Sequence, residues 1–303
     1  MKRLLSFVLS ICLIIPCMFV ISGCKKEKTN NETANIDIWD GSIVEVSSAV
    51  NGVIDIDSAE EFAGLAKSVN NGTSYKNTTI KLTIDLDLCN REWTPIGFGA
   101  SGGAEDIFMD GNSVPFDGIF DGGDHTVYNL KVSKFNGGGL HENSASGVGL
   151  FGHILHSEIK NLKIKKANIE GNHYVGAVVG FGFGSTISNC HVVDSYILCQ
   201  YNNIDESGDK AGAVVGHLQN SYYKNAIITN CSAYTSVVSA DRDAGRILGC
   251  LNYDNLGSQT LSQEFYLTSD DTVELVYNQS GYNDSPNTGK NIEFNNIGRY
   301  DMA

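Results

Sequence analysis

The feature that most constrains this chain is a glycine-closed apolar block that returns four times. It stands as Gly149-Leu150-Phe151-Gly152, Gly176-Ala177-Val178-Val179-Gly180, Gly212-Ala213-Val214-Val215-Gly216 and Gly245-Arg246-Ile247-Leu248-Gly249, with closing glycines 28, 36 and 33 residues apart. A period of that size belongs to solenoids and arrays, in which each repeat stacks only on its neighbours. A second block travels with the first: Val127-Tyr128-Asn129-Leu130, Ile159-Lys160-Asn161-Leu162, Ile187-Ser188-Asn189-Cys190 and Ile228-Thr229-Asn230-Cys231. The residues flanking each Asn in this pattern are three apart, and on an unbroken strand such residues face opposite sides. Both face inward only if the chain bends at the Asn, the non-glycine residue that best tolerates a left-handed backbone. Strand, Asn corner, strand and glycine-flanked strand predict one turn of a parallel β-helix, with turns about 4.8 Å apart. Asn129, Asn161, Asn189 and Asn230 are then expected to form a ladder of amides along the axis.

The ends of the chain read differently. Lys2 and Arg3 precede an apolar run, Leu4 to Val20, and Ile21-Ser22-Gly23-Cys24 follows with small residues before a cysteine. This is the three-part pattern of a secretory leader rather than of a membrane span. The tetrapeptide resembles the bacterial lipobox, which implies that residues 1–23 are a removed signal peptide and that Cys24 is acylated and becomes the N-terminus. Residues 24–50 are polar and aperiodic and read as a tether. Ser58 then offers an N-cap with Glu61 three residues on, a capping box, and Phe62, Leu65, Ala66 and Val69 share one helical face. Ile80, Leu82, Ile84, Leu86 and Leu88 alternate with polar residues, the pattern of a strand with one buried face. The repeats fill residues 51–257, and the polar remainder, 258–303, reads as a C-terminal cap.

The entry to the repeats carries a resemblance. Ile84-Asp85-Leu86-Asp87-Leu88, Trp93-Thr94-Pro95-Ile96-Gly97 and the run from Phe116-Asp117-Gly118 to Asp124-His125-Thr126-Val127-Tyr128-Asn129-Leu130 resemble the opening segment of bacterial GLUG-repeat proteins. The glycine blocks resemble the GLUG motif itself, most closely at Gly149-Leu150-Phe151-Gly152. The resemblance spans roughly residues 53–252. It implies a bacterial surface protein with an all-β fold, a right-handed parallel β-helix with an N-terminal capping helix. Such repeats also accompany the catalytic domain of immunoglobulin A-specific metallopeptidases. That activity does not carry over, because His141-Glu142-Asn143-Ser144-Ala145 lacks the second histidine of a zinc-binding H-E-x-x-H.

Composition narrows the partners. Removing Lys2 and Arg3 with the leader leaves 19 basic against 35 acidic side chains, a net charge of −16. That disfavours nucleic acid, whose binding needs a positive face. Five cysteines remain, Cys89, Cys190, Cys199, Cys231 and Cys250, an odd number without C-x-x-C spacing, so neither a disulfide framework nor a zinc site is expected. The positions after the closing glycines are His153, Phe181, His217 and Cys250, but the two histidines fall two turns apart, too far to share a metal. Cys190 and Cys231 fall one turn apart and read as buried thiols. Asp117, Asp121 and Asp124 sit beside glycines, as turn residues do. No cofactor or metal is expected. The outward positions two after each Asn are Lys131, Lys163, His191 and Ser232; no carboxylate pair recurs with them, and no acid–base set stands out.

The chain therefore reads as a non-catalytic binding or adhesion module, held to the membrane through lipid on Cys24 and facing a glycan or a host or matrix protein. A carbohydrate-active β-helix enzyme and a passive spacer stay open as alternatives. The longest insertions, residues 133–146 and 199–210, leave the same corner of the coil. They carry the candidate ligand residues Phe135, His141 and Glu142 in one loop, and Tyr201, Asn202, Asp205 and Glu206 in the other. The anchor is testable by itself: Cys24→Ala should move the protein from the membrane fraction to a soluble or unprocessed form. Unchanged membrane partitioning would overturn the lipobox assignment.

Overall fold

The computed structural model describes residues 35–99, 113–133, 147–200, 210–221, 223–240 and 243–250, and the backbone of 251–253, 267–269, 274–277 and 297–302. Among them the fold is all-β apart from one helix, and every pairing between strands is parallel. The strands form four sheets. The long sheet carries Ile36–Ile38, Asp85–Asp87, Thr126–Tyr128, Glu158–Lys165, Thr186–Val193, Cys231–Tyr234 and Leu267–Ser269 in that order. The second holds Lys131–Val132, Asn168–Gly171, Tyr196–Cys199, Val237–Ala240 and Glu274–Tyr277. The third holds Gly147–Val148, Tyr174–Gly176, Lys210–Gly212 and Asp243–Gly245, and the fourth Phe151–Leu155, Val179–Phe183, Val215–Gln219, Leu248–Tyr253 and Ile297–Met302. Each repeat visits the four sheets in this order and returns to the long sheet one strand further on.

Two boundaries differ from the sequence expectation. Ile36–Ile38 pairs with Asp85–Asp87, and Trp39 joins the core, so part of the segment read as a tether belongs to the fold. Beyond residue 257, Leu267–Ser269, Glu274–Tyr277 and Ile297–Met302 extend three of the sheets by one strand each. Both stretches are polar enough to hide strands this short.

Helix α1, Ala59–Asn70, buries Phe62, Leu65, Ala66 and Val69 as their spacing requires. Phe62 stacks on Trp93 at 5.2 Å and lies 5.8 Å from Phe120, which seats the helix on one end of the core. Ser58 caps it, accepting from the Glu61 amide at 3.3 Å. Glu61 does not complete the capping box. Its carboxylate instead accepts from the Ser47 amide at 2.9 Å and hydroxyl at 2.6 Å, while Asp37 takes the Ala59 amide at 2.8 Å. Asp37 thus fastens the N-terminal strand to a helix N-terminal donor, and Glu61 ties the segment at Ser47 to the same turn of the helix.

Three corners per repeat are turned by left-handed residues. The first holds Asn161, Asn189 and Asn230, with φ of 55°, 52° and 51°. The second holds Lys166, Asp194 and Thr235 at 60°, 53° and 49°, and the third His156 and Gly184 at 52° and 54°. A corner interrupts the ladder of backbone bonds, and a buried N–H left without an acceptor is costly. Serines of the next repeat supply the acceptor. Ala167 N–H donates to Ser195 Oγ at 3.0 Å, Ser195 N–H to Ser236 Oγ at 3.1 Å, and Ser157 N–H to Ser185 Oγ at 3.0 Å. Each of these hydroxyls donates in turn to the carbonyl two residues back, as from Ser195 to Val193 at 2.9 Å.

Asn129 corrects the expected ladder. Tyr128 pairs with Lys165, so Asn129, also left-handed at 55°, occupies the second corner beside Lys166 and not the first beside Asn161. Lys131, expected to share an outward column with Lys163, accordingly lies in the second sheet. The first corner of that repeat is built by Gly122, Gly123 and Asp124. Asn129 Nδ2 donates to Asp87 Oδ1 at 2.8 Å.

The glycine blocks mark where the third and fourth sheets come together. Gly180 lies against the backbone of Gly147 and Val148, and Gly216 against Tyr174 and Val175. A Cβ at Gly249 would lie 2.7 Å from the Ala211 nitrogen. Gly180, Gly216 and Gly249 therefore each touch the third-sheet strand of the preceding repeat, where no side chain fits. Ala177, Val178, Ala213 and Val214 between the glycines are wholly buried. The outward faces of these two sheets meet at a concave angle, since Tyr174 of the third sheet lies 4.9 Å from His217 and 5.3 Å from Phe181 of the fourth. His153, Phe181, His217 and Cys250 follow one another in register, as the sequence expects, with Phe181 between the two imidazoles at 5.3 and 5.2 Å.

Burial pushes the His153 pKa down to about 3 from 6.5 and raises that of Tyr174 to about 12, the latter helped by Cys250 and Cys199. Lys210 Nζ sits 5.2 Å over the Tyr174 ring. Cys190 and Cys231 are stacked buried thiols, and burial beside Cys231 raises the pKa of Cys190. Cys199 and Cys250 are likewise buried and in no disulfide. Among the described residues no helix is long and apolar enough to cross a membrane.

Two expectations follow. In urea titrations Gly180→Ala should cost near the top of the roughly 1–3 kcal/mol of an overpacked core, because its neighbours are backbone. Asn189→Ala, losing a corner residue and its amide bonds, should cost about 1–2 kcal/mol, and exposed Glu170→Ala within about 0.5 kcal/mol. Equal costs would refute this account of the corners. The second concerns acid. Since His153 is held neutral when folded, the unfolded chain binds the extra proton below pH 6.5, and stability falls there by up to about 1.4 kcal/mol per pH unit until pH nears 3. His153→Phe should remove that share of the acid slope; an unchanged slope would contradict the assignment.

Candidate functional site

The expected ligand loops can be placed by their roots. Lys131–Val132 and Tyr196–Cys199 lie in the second sheet, and the chain next enters the third sheet at Gly147–Val148 and Lys210–Gly212. Both insertions thus leave between the same two sheets. Asn168–Gly171 pairs with both rooting strands, so the roots are two strand spacings apart, about 10 Å. Phe135, His141, Glu142, Tyr201, Asn202, Asp205 and Glu206 lie outside the described residues, as does Cys24.

The described polar chemistry concentrates on the outward face of the long sheet, at its asparagine corner. The parallel register places Thr126, Lys163, His191 and Ser232 in one column. Beside it runs the amide ladder. Asn230 Nδ2 donates to Asn189 Oδ1 at 3.1 Å, Asn189 Nδ2 to Asn161 Oδ1 at 2.8 Å, and Asn161 Nδ2 to Asp121 Oδ1 at 2.9 Å. Asp121 ends the ladder and also takes the Gly123 amide at 3.0 Å. Asp117 holds the Tyr75 amide at 2.7 Å and the Ser74 hydroxyl. Both carboxylates are therefore engaged with protein donors as turn-formers. Among the described residues no group of three or more His, Cys, Asp or Glu gathers as a metal site would require.

The ladder and the column meet at His191. Its Nε2 lies 3.0 Å from Asn189 Oδ1, and its Nδ1 lies 2.7 Å from Ser232 Oγ. Asn189 Oδ1 accepts from Asn230, so it is an acceptor toward His191 as well. Nε2 must then carry the proton, which leaves the Nδ1 lone pair facing Ser232. The Ser232 hydroxyl consequently donates to the imidazole. Burial and the neighbouring Lys163 lower the His191 pKa, against the opposing pull of Asp124, and favour the neutral ring. Lys163 Nζ donates to the Asp124 carbonyl at 3.3 Å, Lys160 pairs with Glu158 at 2.8 Å and Lys165 with Asp194 at 3.7 Å. Lys160 and Lys165 are thus paired with carboxylates, while Lys163 keeps its charge beside His191.

The sequence names His191 and Ser232 as outward residues but does not join them to Asn189. The pairing needs the column and the amide ladder to be adjacent, and only the strand register supplies that. The signal available is the two-residue offset from Asn189 to His191 and from Asn230 to Ser232, which repeats from one strand to the next.

Comparison with known proteins gives distant likeness. No family model matches the chain. Halomucin of Haloquadratum walsbyi is 26% identical over 196 residues, a match covering 61% of this chain and 2% of that protein's length. Among solved structures, a candidate immunoglobulin A1 protease from Bacteroides ovatus is similar with a TM-score of 0.38 and 15% identity, over 74% of this chain and 83% of that one.

Proposed function

We propose that this protein is a lipid-anchored, extracytoplasmic surface protein whose GLUG-type repeats wind into a right-handed parallel β-helix, closed at its N-terminal end by helix α1. Its role is binding or adhesion to a glycan or to a host or matrix protein. The right hand follows from the strong handedness preference of parallel strand connections. Lipid on Cys24 holds the base, and the stiff stack of repeats carries the upper corners away from the membrane.

The observation that carries the binding reading is the shared root of the two insertions. They leave one edge between the second and third sheets, two strand spacings apart, so one extended ligand can span both. In repeat folds such edge insertions often build the binding face. A second reading, a carbohydrate-active enzyme, draws on the adjacent Lys163, His191 and Asp124, where a basic pair and a carboxylate share one exposed sheet face.

The test is a glycan and matrix-protein array probed with residues 25–303, alongside a reducing-end assay on the same glycans. Specific binding that is lost when residues 134–146 and 201–209 are replaced by short glycine linkers supports the proposal. Binding that survives both replacements removes the proposed site. Glycan cleavage would favour the enzyme, and no binding to any ligand would leave a spacer.

A further inference from the structure

We propose that Ser232 is an activated nucleophile, with His191 as its general base and Asn189 as the residue that positions the base, and that this face accepts acyl groups from small carboxylic esters. This goes beyond the binding role and does not depend on it. Three side chains stand in the order nucleophile, base, orienter, with contacts of 2.7 and 3.0 Å, the arrangement by which a hydroxyl becomes reactive. The orienter is an amide, as in histidine dyads held by asparagine, so it fixes the tautomer without adding charge.

The amide ladder holds this order in place. Asn189 is bonded on both sides, to Asn161 and to Asn230, so its Oδ1 cannot turn away and His191 cannot exchange its tautomer without breaking a rung. A surface hydrogen bond between His and Ser at a random site lacks that constraint. The base is also poised correctly. Burial first, and then Lys163 on one flank, keep the resting imidazole neutral, and Asp124 stabilises the imidazolium once it forms. Asn230 is exposed, stands two residues before Ser232 and gives an N–H to Asn189, which fixes the ladder on the side of the nucleophile. Ser232 is 7% exposed, which restricts the substrate to small acyl groups.

The step balances within the side chains and the ester. Ser232 Oγ bonds to the ester carbonyl carbon as its proton passes to His191 Nδ1. The tetrahedral intermediate then expels the alcohol, the C–O bond breaks, and the alkoxide takes the proton from His191. Water attacks the acyl-serine, gives a proton to His191 and releases the carboxylic acid, and the proton returns to Ser232.

The experiment uses residues 25–303 and p-nitrophenyl acetate, with peptide mass spectrometry to locate acetyl groups. The expected result is a burst of p-nitrophenol and one acetyl group on the peptide containing Ser232. Ser232→Ala should abolish both, and His191→Gln should slow acylation about a hundredfold or more. Unchanged circular dichroism and urea midpoints in both variants separate chemistry from unfolding. Should a variant unfold, the labelling pattern of the unmodified protein decides alone. Acetyl groups on lysines only, an unlabelled Ser232, or equal rates in folded His191→Gln would overturn the proposal.

Discussion

The fold depends on how it satisfies backbone amides at its corners. A parallel stack bonds one strand to the next without effort, but a sharp corner turns N–H groups out of line with the next strand. Inside a core, each group left without a partner costs more than a well-made hydrogen bond gains. This chain answers with side chains of the neighbouring repeat. Serines follow the second and third corners, and each hydroxyl accepts from the repeat before it and donates to its own strand. Asparagines stand at the first corner and bond to one another. The corners are thus tied between repeats, and a repeat removed from the stack would lose both sets of bonds. That is the physical sense in which such repeats cannot fold singly.

Glycine plays the complementary part on the opposite side. The third and fourth sheets approach until backbone meets backbone at Gly180, Gly216 and Gly249. That closeness buries Val178 and Val214 completely, and it brings outward residues of the two sheets together, Tyr174 against His217. A second hydrophobic cluster, Phe181 and Phe183 with Leu155 and Tyr174 packed against them, therefore forms outside the main core. The histidines buried there are a consequence of this geometry. His153 loses its hydration and its charge together, so acid pries at the fold from this side.

Much of this was legible in the sequence because it is periodic. The glycine blocks, the alternation from Ile80 to Leu88 and the apolar face of α1 each state which side is buried. The stacking of His153, Phe181, His217 and Cys250 followed from counting after the closing glycines. The misplacement of Asn129 shows the limit of such counting. Val127-Tyr128-Asn129-Leu130 matches Ile159-Lys160-Asn161-Leu162 at its Asn and at both apolar positions, yet it turns a different corner. Every corner asks for a left-handed residue two positions after an inward-facing one, so that local pattern cannot tell one corner from the next. The distinction lies in Asp121-Gly122-Gly123-Asp124, which makes the first corner by another route. The serines were passed over for a related reason: a buried serine looks like any other until the amide it serves is known. The short strand at Ile36–Ile38 carries too few residues for alternation to be read.

The meeting of the ladder with His191 shows how a structural device can set chemistry. A stacked amide exists to hold a corner, and any asparagine at that corner would do so. Once stacked, its oxygen and nitrogen are no longer interchangeable, because each rung dictates the next. A histidine two residues along, on the same face, inherits that polarity through Nε2, and a serine in the following repeat inherits it through Nδ1. The direction of the proton on Ser232 is thus decided from Asp121 onward, where a carboxylate that can only accept starts the sequence of donors. Reversing the ladder, by replacing Asp121 with a residue that only donates, would propagate through Asn161 and Asn189 to His191 without touching it.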